Sequence, residues 1–395
     1  MTAGSGYEGV SIMGVLRLYL ALCVVAAHST DVFPWSMHIG AQAVQIFFII
    51  SGFYMQMVYS KYATAREFYA SRLIRIMLPY WVILLAVLAL SLVWGLLSSW
   101  WGVLEPYREV YPETGSLGIM LTAVTNFTVF GQDWVMFFKH EHGESLQFTA
   151  AFWRSPGQLF PYLMIPQAWS VGVELTFYLC VPILATLSGR RLAGVIVGSL
   201  LLRVLFFETT DLTDDPWNYR FFPFEVYTFG LGMAAYRLGQ RDEAQLARLA
   251  KWFPTRGVVG VVFYAGSVLL LCWLMEWLYT IVRRGLDYHY ATLVTYVIWA
   301  ILIALVFRLG KGLRWDRAVG ELSYPVYLWH YFLVGCFRQT DLARAASGDW
   351  FWLGPAVAVT SVLLSVLTVL CLIAPLDRVR YRWAKRFGGG GDREA

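Results

Sequence analysis

The stretch MGVLRLYLALCVVAAHSTDVF, residues 13–33, sets the fold class of this chain. It is mostly apolar, and it is long enough to cross the hydrocarbon core of a bilayer as a helix, which takes about 20 residues. It also carries Arg17 and His28. Ionisable side chains in a membrane helix are costly and are functional candidates by default. We therefore start from a transmembrane helix that bears a cation and an imidazole.

The composition extends this interpretation to the whole chain. Of the 395 residues, 58% are hydrophobic and 14% are charged, whereas soluble domains carry roughly 25% charged residues. The net charge of +5 is small, and no basic block lies among polar loops, so we expect no nucleic-acid partner. The five cysteines all lie in apolar stretches without metal-ligand spacing, so we expect no metal site.

Ten apolar runs predict an all-α integral membrane protein with a bundle of about ten transmembrane helices. These runs cover residues 13–33, 42–60, 77–99, 167–187, 192–207, 222–238, 257–277, 290–308, 320–339 and 351–374. A further apolar stretch at 117–138 is interrupted by Asn126, Gly131, Gln132 and Asp133. We predict that this stretch is re-entrant or interfacial.

The basic residues predict the orientation. With a cytoplasmic N-terminus and ten alternating helices, the inner connections hold 21 of the 31 Lys and Arg residues and the outer connections hold 8. This bias follows the positive-inside rule. We therefore expect both termini in the cytoplasm and a multi-pass protein of the inner (plasma) membrane. One domain over residues 8–375 and a short basic tail over 376–395 complete the expected organisation.

Two helices carry polar groups that a bilayer tolerates poorly. Arg17 and His28 are eleven residues apart, which brings them to nearly the same face of a helix, roughly 16 Å apart along its axis. Glu174 lies in the fourth predicted helix. A carboxylate there should pair with an arginine or histidine or face a wet cavity.

Other candidates allow either a functional or a structural interpretation. Tyr327 and His330 are three residues apart and share a helix face. Ser51 precedes Gly52, a pair that permits close helix packing. Arg72 and Arg75 precede the third predicted helix, where two guanidiniums on one face suit phosphate binding but also fit the positive-inside bias.

Aromatic side chains are frequent in the long outer segment over residues 100–166. They include Trp134, Phe148, Phe152, Trp153 and Tyr162. Such rings could stack on the faces of sugars, or they could form the aromatic belt of a membrane interface. The sequence leaves both interpretations open.

Five groups of residues occur in order along nearly the whole chain. They are Leu16-Arg17 with His28; Phe47 through Phe53; Phe68 through Tyr80 with Arg72, Arg75 and Pro79; Trp169-Ser170 with Glu174, Phe177-Tyr178 and Pro182; and Ser323-Tyr324 with Tyr327 through His330. Together they resemble the motifs of acyltransferase family 3, which includes bacterial O-acetyltransferases of O-antigens, exopolysaccharides and nodulation factors. One departure is Gln45, where the family usually has an acidic residue.

The resemblance implies a reaction and a set of roles. The donor is acyl-CoA, most simply acetyl-CoA, used as a co-substrate without a permanently bound cofactor. The acceptor is a hydroxyl of a cell-surface or lipid-linked glycan. His28 is the base or the acyl carrier, Arg17 stabilises charge or orients the donor, and Glu174 orients His28 or an arginine. Arg72 and Arg75 hold the CoA phosphates.

Supporting roles and alternatives complete the expectation. Ser51, Tyr178, Tyr327 and His330 are expected to support the site or contact the substrate, and His330 is a second-rank catalytic candidate. The protein is expected to contact membrane lipid, and homodimer formation is left open. The rival functions are a transporter or flippase of a lipid-linked glycan, and an acyltransferase that acts on a lipid, a peptide or an antibiotic.

Overall fold

A computed structural model describes residues 13–30, 32, 38–108, 116–141, 145–241, 257–339 and 352–375. The predicted tail over 376–395, and residues 8–12 of the predicted domain, lie outside the described residues.

Helices dominate the described part of the chain. They are α1 (Gly14–His28), α2 (Gly40–Tyr59), α3 (Ala65–Leu97), α4 (Glu105–Arg108), α5 (Ser116–Thr128), α6 (Trp169–Leu184), α7 (Gly189–Thr209), α8 (Phe222–Arg241), α9 (Gly257–Gly285), α10 (Tyr288–Gly310), α11 (Arg314–Arg338) and α12 (Leu353–Thr368). A π-helical segment, Val369–Ile373, continues α12. Each of the ten predicted runs overlaps one of these helices.

Seven segments of the described residues are long and apolar enough to cross a membrane. They are Gly40–Tyr59, Ala65–Leu97, Pro166–Leu184, Gly189–Thr209, Gly257–Gly285, Tyr290–Gly310 and Leu353–Ile373. The protein is therefore a multi-pass, predominantly helical membrane protein, as predicted. Helix α1 is shorter, with 15 residues, and α8 and α11 carry more charge. The total of ten spans, and the side on which the termini lie, stay predictions.

Helix α3 begins twelve residues earlier than the predicted run at 77–99. The Thr64 side chain accepts a hydrogen bond from the backbone N–H of Glu67, and the Glu67 carboxylate accepts one from the N–H of Ala63. These bonds satisfy two donors that a helix start leaves unpaired. Arg72 and Arg75 consequently lie on a helix, one turn apart, rather than in a loop before it.

The interrupted stretch near 117–138 forms a short helix and then irregular structure. Helix α5 has 13 residues, about 20 Å, which is less than the roughly 30 Å of a hydrocarbon core. A 3-10 helix, Asp133–Phe137, follows it. Two antiparallel strands come next, β1 (Phe138–Glu141) and β2 (Ser145–Phe148), with Phe138 paired to Phe148. This small hairpin is an addition to the all-α architecture that the hydropathy pattern could not indicate.

The N-terminus of α1 is fixed on α11. Both carboxylate oxygens of Asp316 accept hydrogen bonds at 2.9 Å, one from the backbone N–H of Gly14 and one from that of Val15. A Cβ at Gly14 would overlap the backbone of Asp316, so this close approach requires glycine. The contact sets the register of two helices that run side by side, and it determines which of their side chains meet further along.

Helices α2 and α8 pack through a reciprocal glycine contact. A Cβ at Gly52 would overlap the carbonyl oxygen of Phe229, and a Cβ at Gly232 would overlap that of Ile49. Small residues of this kind let helix backbones approach closely in membranes. The packing holds the backbone of Ser51, the residue before Gly52, firmly in the bundle interior.

Candidate active site

One large cavity lies among α1, α2, α3, α6 and α11, with a volume of about 1560 Å³ that includes its mouth. Most of the sequence-predicted site residues line it, and they come from all five helices: Arg17, Ser51, Arg72, Arg75, Glu174, Tyr178 and Tyr327. The parallel register of α1 and α11, together with the hydrogen bond from Tyr324 to the carbonyl of Ile76 on α3, brings the initial turns of these three helices to the same end of the bundle. Under the predicted orientation this is the cytoplasmic end.

The cavity carries more positive than negative charge. Three guanidiniums and the carboxylates of Glu174 and Glu321 line it. One Arg75 nitrogen lies 3.0 Å from Glu321 Oε1, and an Arg72 nitrogen donates to the Tyr62 hydroxyl at 2.6 Å. The structure therefore brings both arginines of the predicted phosphate clamp into the cavity, although Arg75 already has an acidic neighbour.

Glu174 lies in the wall of this cavity and accepts two hydrogen bonds. Ser51 Oγ donates to Glu174 Oε1 at 2.5 Å, and the Tyr178 hydroxyl donates to the same oxygen at 2.7 Å. These two hydroxyls, rather than His28, are the hydrogen-bond partners of Glu174 in the described part of the chain. Glu174 thus faces the cavity, as one of the two expectations for a carboxylate there required. Its role in orienting His28 or an arginine stays a prediction.

Tyr327 separates the cavity from the two histidines. Its hydroxyl donates to the carbonyl oxygen of Gln167 at 2.5 Å, and Ser170 Oγ, 2.7 Å away, is left to donate to the tyrosine oxygen. The Gln167 amide in turn donates to the carbonyls of Tyr327 and Leu328. This cross-linked junction of α6 and α11 forms the end of the cavity opposite the N-termini of α1, α3 and α11.

His28 and His330 meet beyond Tyr327. His330 Nε2 lies 3.2 Å from His28 Nδ1, and the ring centroids are 5.1 Å apart. His330 Nδ1 is 2.7 Å from the carbonyl oxygen of Tyr327, and His28 Nδ1 is 2.9 Å from that of Val24. Neither histidine is among the described residues that line the cavity. The sequence predicted both residues but not their contact.

The two carbonyl contacts determine which ring nitrogens carry protons. A carbonyl oxygen only accepts hydrogen bonds, so both Nδ1 atoms must be protonated in the neutral rings. His28 Nδ1–H then lies between the carbonyl of Val24 and the unprotonated Nε2 of His330. The consequence for His28 is a free lone pair on Nε2, which has no hydrogen-bond partner among the described residues.

Arg17 and His28 occupy different compartments of the site. Arg17 lines the cavity near the start of α1, and His28 ends the helix against α11. Their shared helix is what links the cavity to the histidine pair. The predicted separation of roughly 16 Å along the helix axis is therefore the separation between the cavity end of α1 and the histidine pair.

Sequence reasoning missed several buried polar partners near the site. Gln45 donates to both carboxylate oxygens of Glu225 and accepts from Tyr296, while Arg203 pairs with Glu225 at 2.9 Å. The buried Arg220 forms a salt bridge with Asp215. Glu225 and Arg203 each interrupt an apolar run, which is a visible signal, but the pairing joins different helices and cannot be read from a single segment.

The helical bundle and its charged interior cavity define a multi-pass membrane protein with a polar site among its helices. Comparison with known proteins gives the family: the model described as an acyltransferase domain, acyltransferase family 3, matches residues 11–370. The chain belongs to this family, and it is a membrane enzyme that transfers acyl groups other than aminoacyl groups.

The individual relatives share 21–25% sequence identity with this chain. Nodulation protein 10 of Rhizobium leguminosarum bv. viciae is 25% identical over 395 residues, covering 93% of each chain. A putative acetyltransferase, ORF330 of Acidianus two-tailed virus, is 23% identical over 205 residues, covering 50% of this chain and 57% of its own length. An uncharacterised protein of Aquifex aeolicus is 21% identical over 224 residues, covering 56% and 91% respectively. No solved structure matches the chain.

Proposed function

We propose that this enzyme transfers an acetyl group from acetyl-CoA to a hydroxyl of a cell-surface or lipid-linked glycan in the inner membrane. The observation that carries the proposal is the arrangement of two compartments. A cationic cavity is lined by Arg17, Arg72 and Arg75, and a histidine pair lies beyond its end at Tyr327. Family membership supports acyl transfer, and the relative named as a putative acetyltransferase supports the acetyl group. The glycan acceptor is proposed from the resemblance of the motifs to those of bacterial O-acetyltransferases.

The donor enters the cavity from the cytoplasmic end. Arg72 and Arg75 bind CoA phosphates, because guanidiniums form strong charge-assisted hydrogen bonds with phosphate oxygens. The Arg75 guanidinium exchanges its contact with Glu321 for the more highly charged phosphate. The pantetheine arm extends along the apolar wall toward Tyr327, and Arg17 contacts the donor on the way.

The transfer step takes place where the arm meets His28. His28 Nε2 accepts the proton of the acceptor hydroxyl as the hydroxyl oxygen attacks the thioester carbonyl. The new C–O ester bond forms, the C–S bond breaks, and the proton passes to the departing sulfur, so that acetyl ester and CoA thiol are the products. The Tyr327 junction has to open for the arm, since it lies between the cavity and the histidines.

An acetyl-transfer assay tests this proposal. Purified protein in lipid nanodiscs is incubated with radiolabelled acetyl-CoA and a panel of lipid-linked and soluble glycans. We expect labelled acetyl ester in the glycan and equimolar free CoA. His28→Ala should lower turnover by at least about 100-fold, in the range found for general bases. Label that accumulates in a lipid, peptide or antibiotic instead would replace the proposed acceptor, and undiminished turnover of His28→Ala would remove the proposed base.

The transporter alternative is tested with the same nanodiscs. A flippase moves an intact lipid-linked glycan between leaflets without consuming acetyl-CoA. Translocation of a fluorescent glycolipid in the absence of acetyl-CoA, together with no CoA release in its presence, would favour that alternative.

A further inference from the structure

A row of aromatic rings leads from the surface of the protein to His28. Trp153 is 57% exposed, and its ring centroid lies 5.3 Å from that of Phe160. Phe160 is 6.3 Å from Tyr331, and Tyr331 is 5.4 Å from His28, both in edge-to-face geometry. Each ring contacts the next at the spacing of interacting aromatic pairs. The row therefore provides a continuous aromatic surface that begins in the open and ends at the imidazole.

Trp153, the outermost ring of this row, is held in place by a hydrogen bond to a carboxylate that is itself fixed by its neighbours. Trp153 Nε1 donates to Asp215 Oδ2 at 2.9 Å. The same carboxylate accepts from Arg220 Nε at 2.5 Å and from Arg220 Nη2 at 2.8 Å, and from the Tyr219 hydroxyl at 3.0 Å. An indole in an interfacial belt is expected to direct its N–H toward headgroups or water. Here the N–H points into the protein, and the indole faces are fixed.

A buried cation with an unused donor lies beside Phe152, whose ring packs against Trp153 and Phe160 in the row. Arg220 is 4% exposed, and its guanidinium lies 4.1 Å from the ring centroid of Trp169 and 5.1 Å from that of Phe152. Its Nη1 is buried and has no hydrogen-bond partner among the described residues. A buried polar group that lacks a partner is expensive, so Nη1 marks a place where a hydroxyl or ether oxygen of a ligand, or a water, is favoured.

The charge around the row indicates the class of ligand. The bidentate pair with Asp215 neutralises Arg220, and the neighbouring Arg154 pairs with Asp214 at 3.4 Å. Around Trp153 the surface therefore offers aromatic faces and a hydrogen-bond donor whose charge is paired, while Arg338, which donates to the carbonyl oxygen of His28 at 3.4 Å, lies at the inner end of the row. A neutral sugar ring, with apolar C–H faces and polar edges, fits the aromatic faces and the paired charges around Trp153.

We propose that Trp153, Phe160 and Tyr331, with Arg220 held beside the outer rings by Asp215, form the acceptor subsite of the enzyme. A neutral pyranose ring stacks on Trp153, and the row of rings directs the hydroxyl of that sugar or of its neighbour toward His28 Nε2. This inference rests on the proposed function and deepens it. It assigns the acceptor to the face opposite the donor cavity, so donor and acceptor approach His28 from the two sides of the Tyr327 junction.

The test compares two exposed tryptophans. Trp153 lies in the row, whereas Trp134, 61% exposed, has no contact with it among the described residues and serves as the matched control. Acetyl transfer is measured in nanodiscs for wild type, Trp153→Ala, Trp153→Phe and Trp134→Ala. The acceptors are methyl pyranosides, a polyprenyl-linked pyranoside and an acyclic polyol with the same number of hydroxyls.

We expect Trp153→Ala to raise KM for the pyranosides three- to tenfold, the size of one aromatic contact, while KM for acetyl-CoA is unchanged. Trp153→Phe should retain most of the pyranoside affinity because it keeps a ring, and Trp134→Ala should resemble wild type. The preference of wild type for pyranosides over the acyclic polyol should be lost in Trp153→Ala alone.

Three results overturn the inference and are distinguishable. Pyranoside transfer at wild-type KM in both alanine variants would refute the subsite and leave acyl transfer intact. An equal rise in KM for Trp153→Ala and Trp134→Ala would indicate a general effect of surface tryptophans. Absence of transfer from wild type to any sugar would refute the proposed function itself.

Discussion

His330 Nε2 lies 3.2 Å from His28 Nδ1, and the carbonyl of Tyr327, 2.7 Å from His330 Nδ1, fixes the proton on the far side of the same ring. His330 is fully buried. This relay of one carbonyl and two imidazoles keeps His28 in the tautomer with a free Nε2. We therefore predict that His330 is a positioning residue, which acts on the proposed reaction through His28.

Substitution of His330 should lower turnover less than substitution of His28 does. Removing its ring takes away one hydrogen-bond partner, worth about 1 kcal/mol, so we expect kcat of His330→Ala to fall about five- to tenfold with KM values unchanged. His330→Gln, whose side-chain oxygen can accept from His28 Nδ1–H, should recover part of the loss. A His330→Ala loss as large as that of His28→Ala would show that His330 itself takes part in proton transfer.

The predicted phosphate clamp, Arg72 and Arg75, should affect KM for acetyl-CoA but not KM for a donor without phosphates. Arg72→Ala and Arg75→Ala should each raise KM for acetyl-CoA about tenfold or more, since a hydrogen bond between charged groups is worth about 1.5–3 kcal/mol. Neither variant should change KM for S-acetylpantetheine, which has no phosphates. Arg66→Ala is the control, because Arg66 lies exposed on the same helix and outside the described cavity lining. Equal effects on both donors would refute phosphate binding.

Gln45 stands where acyltransferase family 3 usually has an acidic residue, and the substitution Gln45→Glu tests whether this chain tolerates that residue. Glu225 already supplies a carboxylate beside Gln45, at 2.8 and 2.9 Å from its amide nitrogen, and Arg203 neutralises it. Gln45→Glu places a second, unneutralised carboxylate there, so we expect a loss of stability of about 3 kcal/mol or more, measured as the apparent melting temperature in detergent.

The double variant Gln45→Glu/Glu225→Gln restores a single carboxylate in the network and should recover much of that stability. If the single Gln45→Glu variant has the same apparent melting temperature as wild type, the charge balance of this network does not contribute to stability.

Asp133 predicts a pH dependence of stability in the segment after α5. Burial raises the pKa of this carboxyl to about 7, and the charge of Arg220 partly offsets the effect. The folded protein thus keeps the proton up to about pH 7, while the unfolded chain releases it near the ordinary value of 3.8. Stability contributed by this group is therefore lost as pH rises from about 4 to about 7 and is constant above that.

Asp133→Asn removes this dependence, so it should raise the apparent melting temperature more at pH 7.5 than at pH 5. Asp214→Asn is the control, because Asp214 is a half-exposed surface carboxylate paired with Arg154. Melting curves of Asp133→Asn that follow wild type at both pH values would contradict the prediction.

The sequence by itself determined the membrane class, the positions of the helical runs and the seven predicted site residues that line the cavity. Hydrophobic length is a local property, and the cost of a buried charge makes Arg17, Glu174 and Arg203 conspicuous without any knowledge of their neighbours. The start of α3 was missed, because Thr64 and Glu67 extend a helix through a polar stretch that the hydropathy signal does not cover.

Only the tertiary structure decided the partners. Glu174 could have paired with His28 or an arginine on sequence grounds, but packing of α2 on α6 gives it Ser51. Its other partner, Tyr178, lies one turn further along α6 itself. His28 meets His330 because Asp316 fixes the start of α1 on α11, 302 positions away in the sequence. The sequence specifies which charged and polar side chains must be shielded from lipid, whereas helix register and close packing specify which of these side chains contact each other.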